Sequence, residues 1–180
     1  MVVAKELCDA LKPVTERLIV AGSLRRRKAE VGDVEVLFVP RVAEYRAGLF
    51  AEDVRRVSLA DDCLAGLISA GVLAKRPNSN GGFAWGEKNK LAIHVASGIP
   101  VDFFTATEAN WFNYLVCRTG PGESNIRIAS AAQARGWKWN PYGEGFSRVS
   151  GLGTEVYRVA SERDVFEFVG LDFKDPWERA

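Results

Sequence analysis

The 180-residue sequence predicts an α+β fold, and three features carry that prediction. Apolar residues recur at helical spacing in several separated stretches. Between them lie short apolar runs bounded by Gly, Pro and Asn, which read as strands. Two carboxylates, Asp33 and Glu35, occupy alternate positions at the start of one such run, so that on a strand both point to the same face.

Residues 2–19 show helical spacing (Val3, Leu7, Leu11, Val14, Leu18), with Pro13 as a kink or restart. Ile19 to Ala21 make a short strand leading into a Gly22-Ser23 turn, and 33–39 make the strand that bears the carboxylates. Arg41 to Arg56 fit neither period. Ser58-x-x-Asp61 reads as a capping box opening a helix with Leu59, Cys63, Leu67 and Ile68 inward, ended by Gly71. Residues 72–105 read as β: Val72 to Lys75, a polar turn from Pro77 to Gly82, Lys90 to Ala96, a turn at Gly98-Ile99-Pro100, and Val101 to Phe104. Thr105-x-x-Glu108 reads as a second capping box, for a helix with Trp111, Phe112, Leu115 and Val116 on one face, ending near Thr119-Gly120-Pro121-Gly122. Another helix runs to about Arg135 with Gly136 as its C-cap. Trp137, Trp139, Tyr142 and Phe146 fall in a short β-like region. Ser161-x-x-Asp164 caps a last helix with Val165, Phe166 and Val169.

Composition bounds the class. With 47% apolar and 26% charged residues the chain reads as ordinary globular protein, one domain or two small ones. No apolar run is long enough to span a bilayer, and Lys5, Glu6 and Asp9 break up the first residues, so neither membrane nor signal peptide is expected. Cys8, Cys63 and Cys117 are widely spaced and odd in number, which argues for reduced thiols in a cytosol-like compartment without a disulfide framework or structural zinc. A net charge of +1 does not mark a nucleic-acid binder by itself. The distribution is more informative: Arg25 to Lys28 form one basic block, and from Arg118 to Arg148 five basic residues face only Glu123 and Glu144.

The chemistry concentrates around Gly22 to Val39. Two carboxylates held that close need a cation between them, and hard divalent cations take oxygen ligands. The Gly22-Ser23 turn offers backbone donors and a hydroxyl to a phosphate, and the arginines offer forks and charge. Phosphate and metal side by side point to phosphoryl transfer. Taken singly, the acidic pair could equally be a solvated strand edge and the basic run plain surface. Asp102 alternates with Val101 and Phe103 in an apolar strand, where a carboxylate is costly without a partner. A metal shared with Asp33 and Glu35 is one partner; a surface position on an edge strand is the alternative. The aromatic and basic residues around Trp137 to Arg148 could stack on nucleic acid, or the tryptophans could form the core of a small subdomain. His94, the only histidine, sits in an apolar strand and reads as structural.

Gly22-Ser23, Asp33-x-Glu35 and Asp102 together resemble the nucleotidyltransferase superfamily. Gly22-Ser23-Leu24-Arg25-Arg26, Gly32-Asp33-Val34-Glu35-Val36-Leu37 and Val101-Asp102-Phe103-Phe104 look like the palm motifs of the family X DNA polymerases, the polymerase beta relatives. Thr119-Gly120, Asn125 and Gly136 through Tyr142 resemble that family's nucleotide-contacting turn and the start of its thumb. Ser161-Glu162-x-Asp164-Val165-Phe166, with Leu171, Pro176 and Arg179, looks like its closing helix and tail. The resemblance runs from about residue 18 to the end, at a size similar to the smallest viral members, which consist of palm and thumb only. It implies no lyase domain.

The resemblance implies a nucleotidyltransferase palm over residues 1–105, a mixed or antiparallel sheet with helices, followed by a thumb of helices and a short β-sheet over 106–180. Asp33, Glu35 and Asp102 would be catalytic and would bind two Mg2+ ions (or Mn2+), Asp102 ligating only the ion that activates a primer 3′-hydroxyl. Gly22, Ser23, Arg26 and Gly32 would hold the β- and γ-phosphates of a deoxynucleoside triphosphate. Thr119, Gly120 and Asn125 would lie against sugar and base, and Arg118, Arg127, Lys138 and Arg148 would contact DNA. The implied activity is template-directed DNA polymerisation, filling short gaps in repair, by a cytoplasmic (nucleoid-associated if bacterial) monomer on primer/template or gapped duplex. Template-independent or RNA-directed nucleotidyl transfer, and a degenerate relative that only binds nucleic acid, are the alternatives. Three positions depart from the family's pattern: Glu35 stands where Asp is usual, Val31 replaces a hydroxyl residue, and Cys117-Arg118 replaces an aromatic pair against the sugar. The last departure predicts only modest preference for deoxynucleotides.

Overall fold

The computed structural model describes residues 2–46, 54–151 and 153–179. The chain divides into two compact units, Met1–Val20 with Gly32–Thr105, and Ala21–Val31 with Ala106–Ala180. The sequence reading placed everything up to residue 105 in one domain; the basic segment 21–31 instead packs with the C-terminal part.

In the first unit, α1 (Val2–Leu11) buries Val3, Ala4, Leu7 and Leu11 on one face. Pro13 does more than kink it. A single 3-10 turn follows, Thr15 is already extended, and β1 spans Thr15–Val20. Thr15 to Leu18 are therefore strand, where the apolar spacing had predicted helix: a proline removes one helical donor and clashes with the preceding turn. The buried Thr15 hydroxyl donates to Leu11 O at 3.0 Å, closing the end of the helix. The strand with the carboxylates is β2 (Val34–Pro40). The stretch 41–56, which fitted neither period, holds β3 (Val42–Arg46) and the start of β4 (Val54–Ser58), paired antiparallel; the rest of it lies outside the described residues. Ser58 caps α3 (Leu59–Ser69), accepting from the Asp61 amide at 3.2 Å. The inward face is set by the buried Ala60 and Leu64, with Leu59 and Cys63 only half-buried. Gly71, at φ +72°, ends the helix as expected.

Strands β5 (Leu73–Lys75), β6 (Asn89–His94) and β7 (Ile99–Thr105) complete a five-stranded sheet of order β1-β2-β7-β6-β5. It is mixed: β2 and β7 run parallel, and the other pairs are antiparallel. Asp102 thus lies on the central strand of the sheet, which removes the edge-strand alternative. His94 is structural in this fold: its Nδ1 lies 2.7 Å from Ser97 Oγ and the residue is buried.

The second unit begins with α2 (Gly22–Arg25), a four-residue turn of helix entered by Gly22 at φ +59°. That conformation is easy only for glycine. The helix predicted to start at Thr105 starts later, as α4 (Trp111–Thr119). Thr107 and Asn110 bond each other in the turn ahead of it, Thr107 N donating to Asn110 Oδ1 at 2.7 Å and Asn110 N to Thr107 Oγ1 at 3.3 Å. Helix α5 (Gly122–Ala134) ends at Gly136 (φ +73°) as its sequence predicts. A small antiparallel sheet, β8 (Lys138–Asn140), β9 (Gly145–Ser150) and β10 (Gly153–Arg158), precedes α6 (Glu162–Phe168), which Ser161 caps by accepting from Asp164 N at 3.0 Å. Gly145 cannot be replaced without moving the backbone, since a Cβ there would lie 2.1 Å from Tyr157 O. The core of this unit gathers Val116, Ile128, Trp139, Phe146, Val165 and Phe166. Trp139 and Phe146 are therefore core, and Trp137 packs against it, its ring edge-on to Phe168.

Candidate active site

The two units each carry part of the residues singled out by sequence. In the first, β2 and β7 hold Glu35 and Asp102 as direct partners in the parallel register, flanked by the pairs Val34–Val101 and Val36–Phe103. Partners across adjacent strands share a face, so both carboxylates project to one side of the sheet. The flanking valines and Phe103 project to the other, where they are buried. Asp33, half-buried, immediately precedes β2, and Gly32 is exposed beside it. Asp102 is also held by an ion pair, Arg76 Nη2 lying 2.5 Å from its Oδ1.

The donor set suits a hard divalent cation: carboxylate oxygens, two of them in matched register. The side chains as they stand do not enclose one. Among the described residues, no group of three or more His, Cys, Asp and Glu side chains is placed to hold a metal ion.

In the second unit the Gly22-Ser23 turn is built into a charged network. Arg25 forks onto Glu162 at the start of α6, with Nη1 at 2.8 Å from Oε2, and the same Nη1 donates to Thr119 Oγ1 at 2.6 Å. Arg179 adds a second cation to Glu162, Nη2 to Oε2 at 3.1 Å. Burial pulls the Arg179 guanidinium below its ordinary range, and Glu162 works against that shift. Arg26 donates to the carbonyl of Thr119, and a Cβ on Gly120 would come within 3.3 Å of Arg26 Nη1. Arg27 lies over the Trp177 ring at 4.3 Å. Gly22, Ser23, Arg26, Thr119 and Gly120 are thus brought together, as α2 against the end of α4. Thr119 is fully buried, so its side chain secures Arg25 where the sequence reading had it against a sugar or base.

The remaining candidates are dispersed. Asn125 turns inward, donating to Cys117 O at 2.9 Å, and its buried Oδ1 has no partner among the described residues. Arg118, expected on a DNA backbone, is half-buried, donates to the Tyr142 hydroxyl at 3.1 Å, and lies 5.5 and 5.3 Å from the ring centres of Tyr114 and Tyr142. Burial raises both tyrosine hydroxyls above their usual pKa, against a lowering pull from Arg118. Arg127 and Lys138 are exposed on α5 and β8. Arg148 on β9 pairs with Glu155 at 2.7 Å and covers Trp137 at 4.6 Å. Sequence reasoning missed Arg25, Arg76, Glu162 and Asn113. Arg25 had a local signal as a member of the basic block, and Glu162 lay in the motif likened to a closing helix, but neither was given a role.

Comparison with known proteins follows this geometry. Residues 114–180 match the family model of the DNA polymerase beta thumb. Among solved structures, polymerase beta of Leishmania infantum, determined as a ternary P/T complex, matches at a TM-score of 0.72 with 20% sequence identity, over 99% of this chain and 72% of that one. At that identity the likeness is one of fold. No curated protein matches the sequence. Among the described residues no helix is long and apolar enough to cross a membrane.

Proposed function

From a family X polymerase-like chain, its last third a polymerase beta thumb and its fold that of polymerase beta, we propose a nucleotidyltransferase that adds deoxynucleotides to a DNA primer 3′-hydroxyl. The observation that carries this reading is the matched register of Glu35 and Asp102 on the two central parallel strands, with Asp33 directly before β2. Two carboxylates at partner positions repel each other and draw cations, an arrangement of the kind met where a site has work for them. The relative's ternary P/T complex supports DNA as the partner.

In the proposed reaction the primer 3′-oxygen bonds to the α-phosphorus of the triphosphate, the bond to the β-phosphate oxygen breaks, and pyrophosphate leaves. Asp33, Glu35 and Asp102 would hold Mg2+ or Mn2+, whose charge would favour ionisation of the attacking hydroxyl and offset the negative charge of the triphosphate. Asp102 would accept the hydroxyl proton or pass it to water. The Gly22-Ser23 turn would offer amide and hydroxyl donors to the terminal phosphates, with Arg26 and Gly32 contributing. Template-directed filling of short gaps, the resemblance's implication, fits a chain of palm and thumb.

Extension of a primer across a one-nucleotide gap, with Mg2+ and then Mn2+, tests the reading. Asp33→Asn and Asp102→Asn should each lower the rate by at least a thousandfold while the circular dichroism spectrum stays that of the wild type. Nearly normal extension by either variant would show the site to be misassigned. A second reading, nucleic-acid binding without catalysis, has one observation in its favour: Asp102 is engaged by Arg76. Duplex binding without extension in either metal would establish it.

A further inference from the structure

Arg76 directly follows β5, and its position is set by backbone bonds: its amide donates to Leu91 O at 2.9 Å, locking it against β6. From there the side chain passes over β6, its Nε 3.4 Å from Ala92 O, and reaches β7, where Nη2 meets Asp102 Oδ1 at 2.5 Å. The pair is mostly shielded, the side chains being 30% and 17% exposed. Leu91 is itself the register partner of Asp102, as Glu35 is from the other side. Arg76 therefore brings a positive charge onto a carboxylate whose neighbour across β2 is a second carboxylate. A guanidinium and a divalent cation drawn to the same carboxylate repel each other, so whichever is bound weakens the other.

We propose that Arg76 is a positioning residue that neutralises and holds Asp102 in the metal-free protein and is exchanged for a divalent cation when the carboxylate cluster is loaded. The inference rests on the metal-binding role proposed for Asp33, Glu35 and Asp102. It adds that the cluster carries its own competing cation, supplied from the β5 end of the sheet.

The test is Mn2+ binding to the full chain without nucleotide or DNA, read as free Mn2+ by electron paramagnetic resonance. Arg76→Gln should bind Mn2+ more tightly than the wild type, by roughly tenfold, the low end of the effect of a unit charge a few ångströms from a dication. Arg76→Lys, which keeps the charge, should stay near the wild type. In an Asp102→Asn background, Arg76→Gln should change little. In EDTA, Arg76→Gln should melt several degrees lower than the wild type, and adding Asp102→Asn should restore part of the loss, since the two side chains form one ion pair. Equal or weaker Mn2+ binding by Arg76→Gln, with Asp33→Asn still reducing affinity, would overturn the exchange and leave the metal-site reading standing. Wild-type Mn2+ binding by Asp33→Asn, Glu35→Gln and Asp102→Asn alike would overturn both.

Discussion

Asn113 shows how much one side chain can decide. It is fully buried on α4, donates to Asn140 O at 2.5 Å and Gly143 O at 2.9 Å, and accepts from Trp139 Nε1 at 2.6 Å. The one amide ties the helix to the turn between β8 and β9 and satisfies the indole of a core tryptophan. Asn113→Ala leaves the Trp139 indole N–H and the Gly143 carbonyl without this partner, each costing about 1–3 kcal/mol, while Asn140 O keeps the Gly143 amide at 2.9 Å. We expect about 3 kcal/mol lost in urea unfolding. A change under 1 kcal/mol would mean the groups are rescued by water. Glu35 makes a different residue-scale argument. It is one methylene longer than the Asp usual in the family it resembles, and metals in two-ion sites lie roughly 3.5–4 Å apart, with little tolerance for a displaced ligand. Glu35→Asp should therefore retain measurable extension, shifted in favour of Mn2+ over Mg2+. Full activity of Glu35→Ala in both metals would make Glu35 a bystander.

Among the elements, those signalled by local chemistry were legible in the sequence. Ser58 and Ser161 cap α3 and α6, and Gly71 and Gly136 stop α3 and α5, because a hydroxyl at the cap and a left-handed glycine act within one turn. The Thr105 box failed for a local reason too: Thr107 and Asn110 bond each other in a turn that delays the helix to Trp111. Helix α6 has a further role that its own sequence does not announce. Its first residue, Glu162, receives Arg25 from α2 and Arg179 from the C-terminal end, with side chains 15%, 16% and 1% exposed. Removing the shared anion strands two shielded guanidinium groups, the case in which breaking a buried pair costs most. Glu162→Gln should destabilise the protein by about 3 kcal/mol, and Arg179→Met in the same chain should recover part of it. An additive double variant would show that the two arginines do not depend on Glu162.

At the scale of the whole chain, the shared face of Glu35 and Asp102 was legible and its surroundings were not. Glu35 and Asp102 stand out because period-two alternation within single strands places them, whereas Arg25 and Glu162 are 137 residues apart and nothing local to either announces the other. The same separation explains why the segment 21–31 was assigned by sequence continuity to the wrong unit. It lies between β1 and β2 in the chain, yet its bonds run to α4, α6 and the C-terminal residues, through Arg25, Arg26 and Arg27. The second unit is therefore discontinuous, and residues 106–180 by themselves lack the contacts of Arg25, Arg26 and Arg27. With the Glu162 pairing and the Thr119 bonds gone, a deficit of about 2–3 kcal/mol is expected, which in a domain of this size lowers the melting temperature by roughly 10–20 °C. Comparing the 106–180 fragment with one carrying 21–31 joined by a long Gly/Ser linker measures that deficit by circular dichroism. The joined form should melt higher, and Arg25→Ala within it should remove most of the gain. Identical melting of the two fragments would show that the thumb folds without the basic turn, and that the arginines of 21–31 are held by it without supporting it.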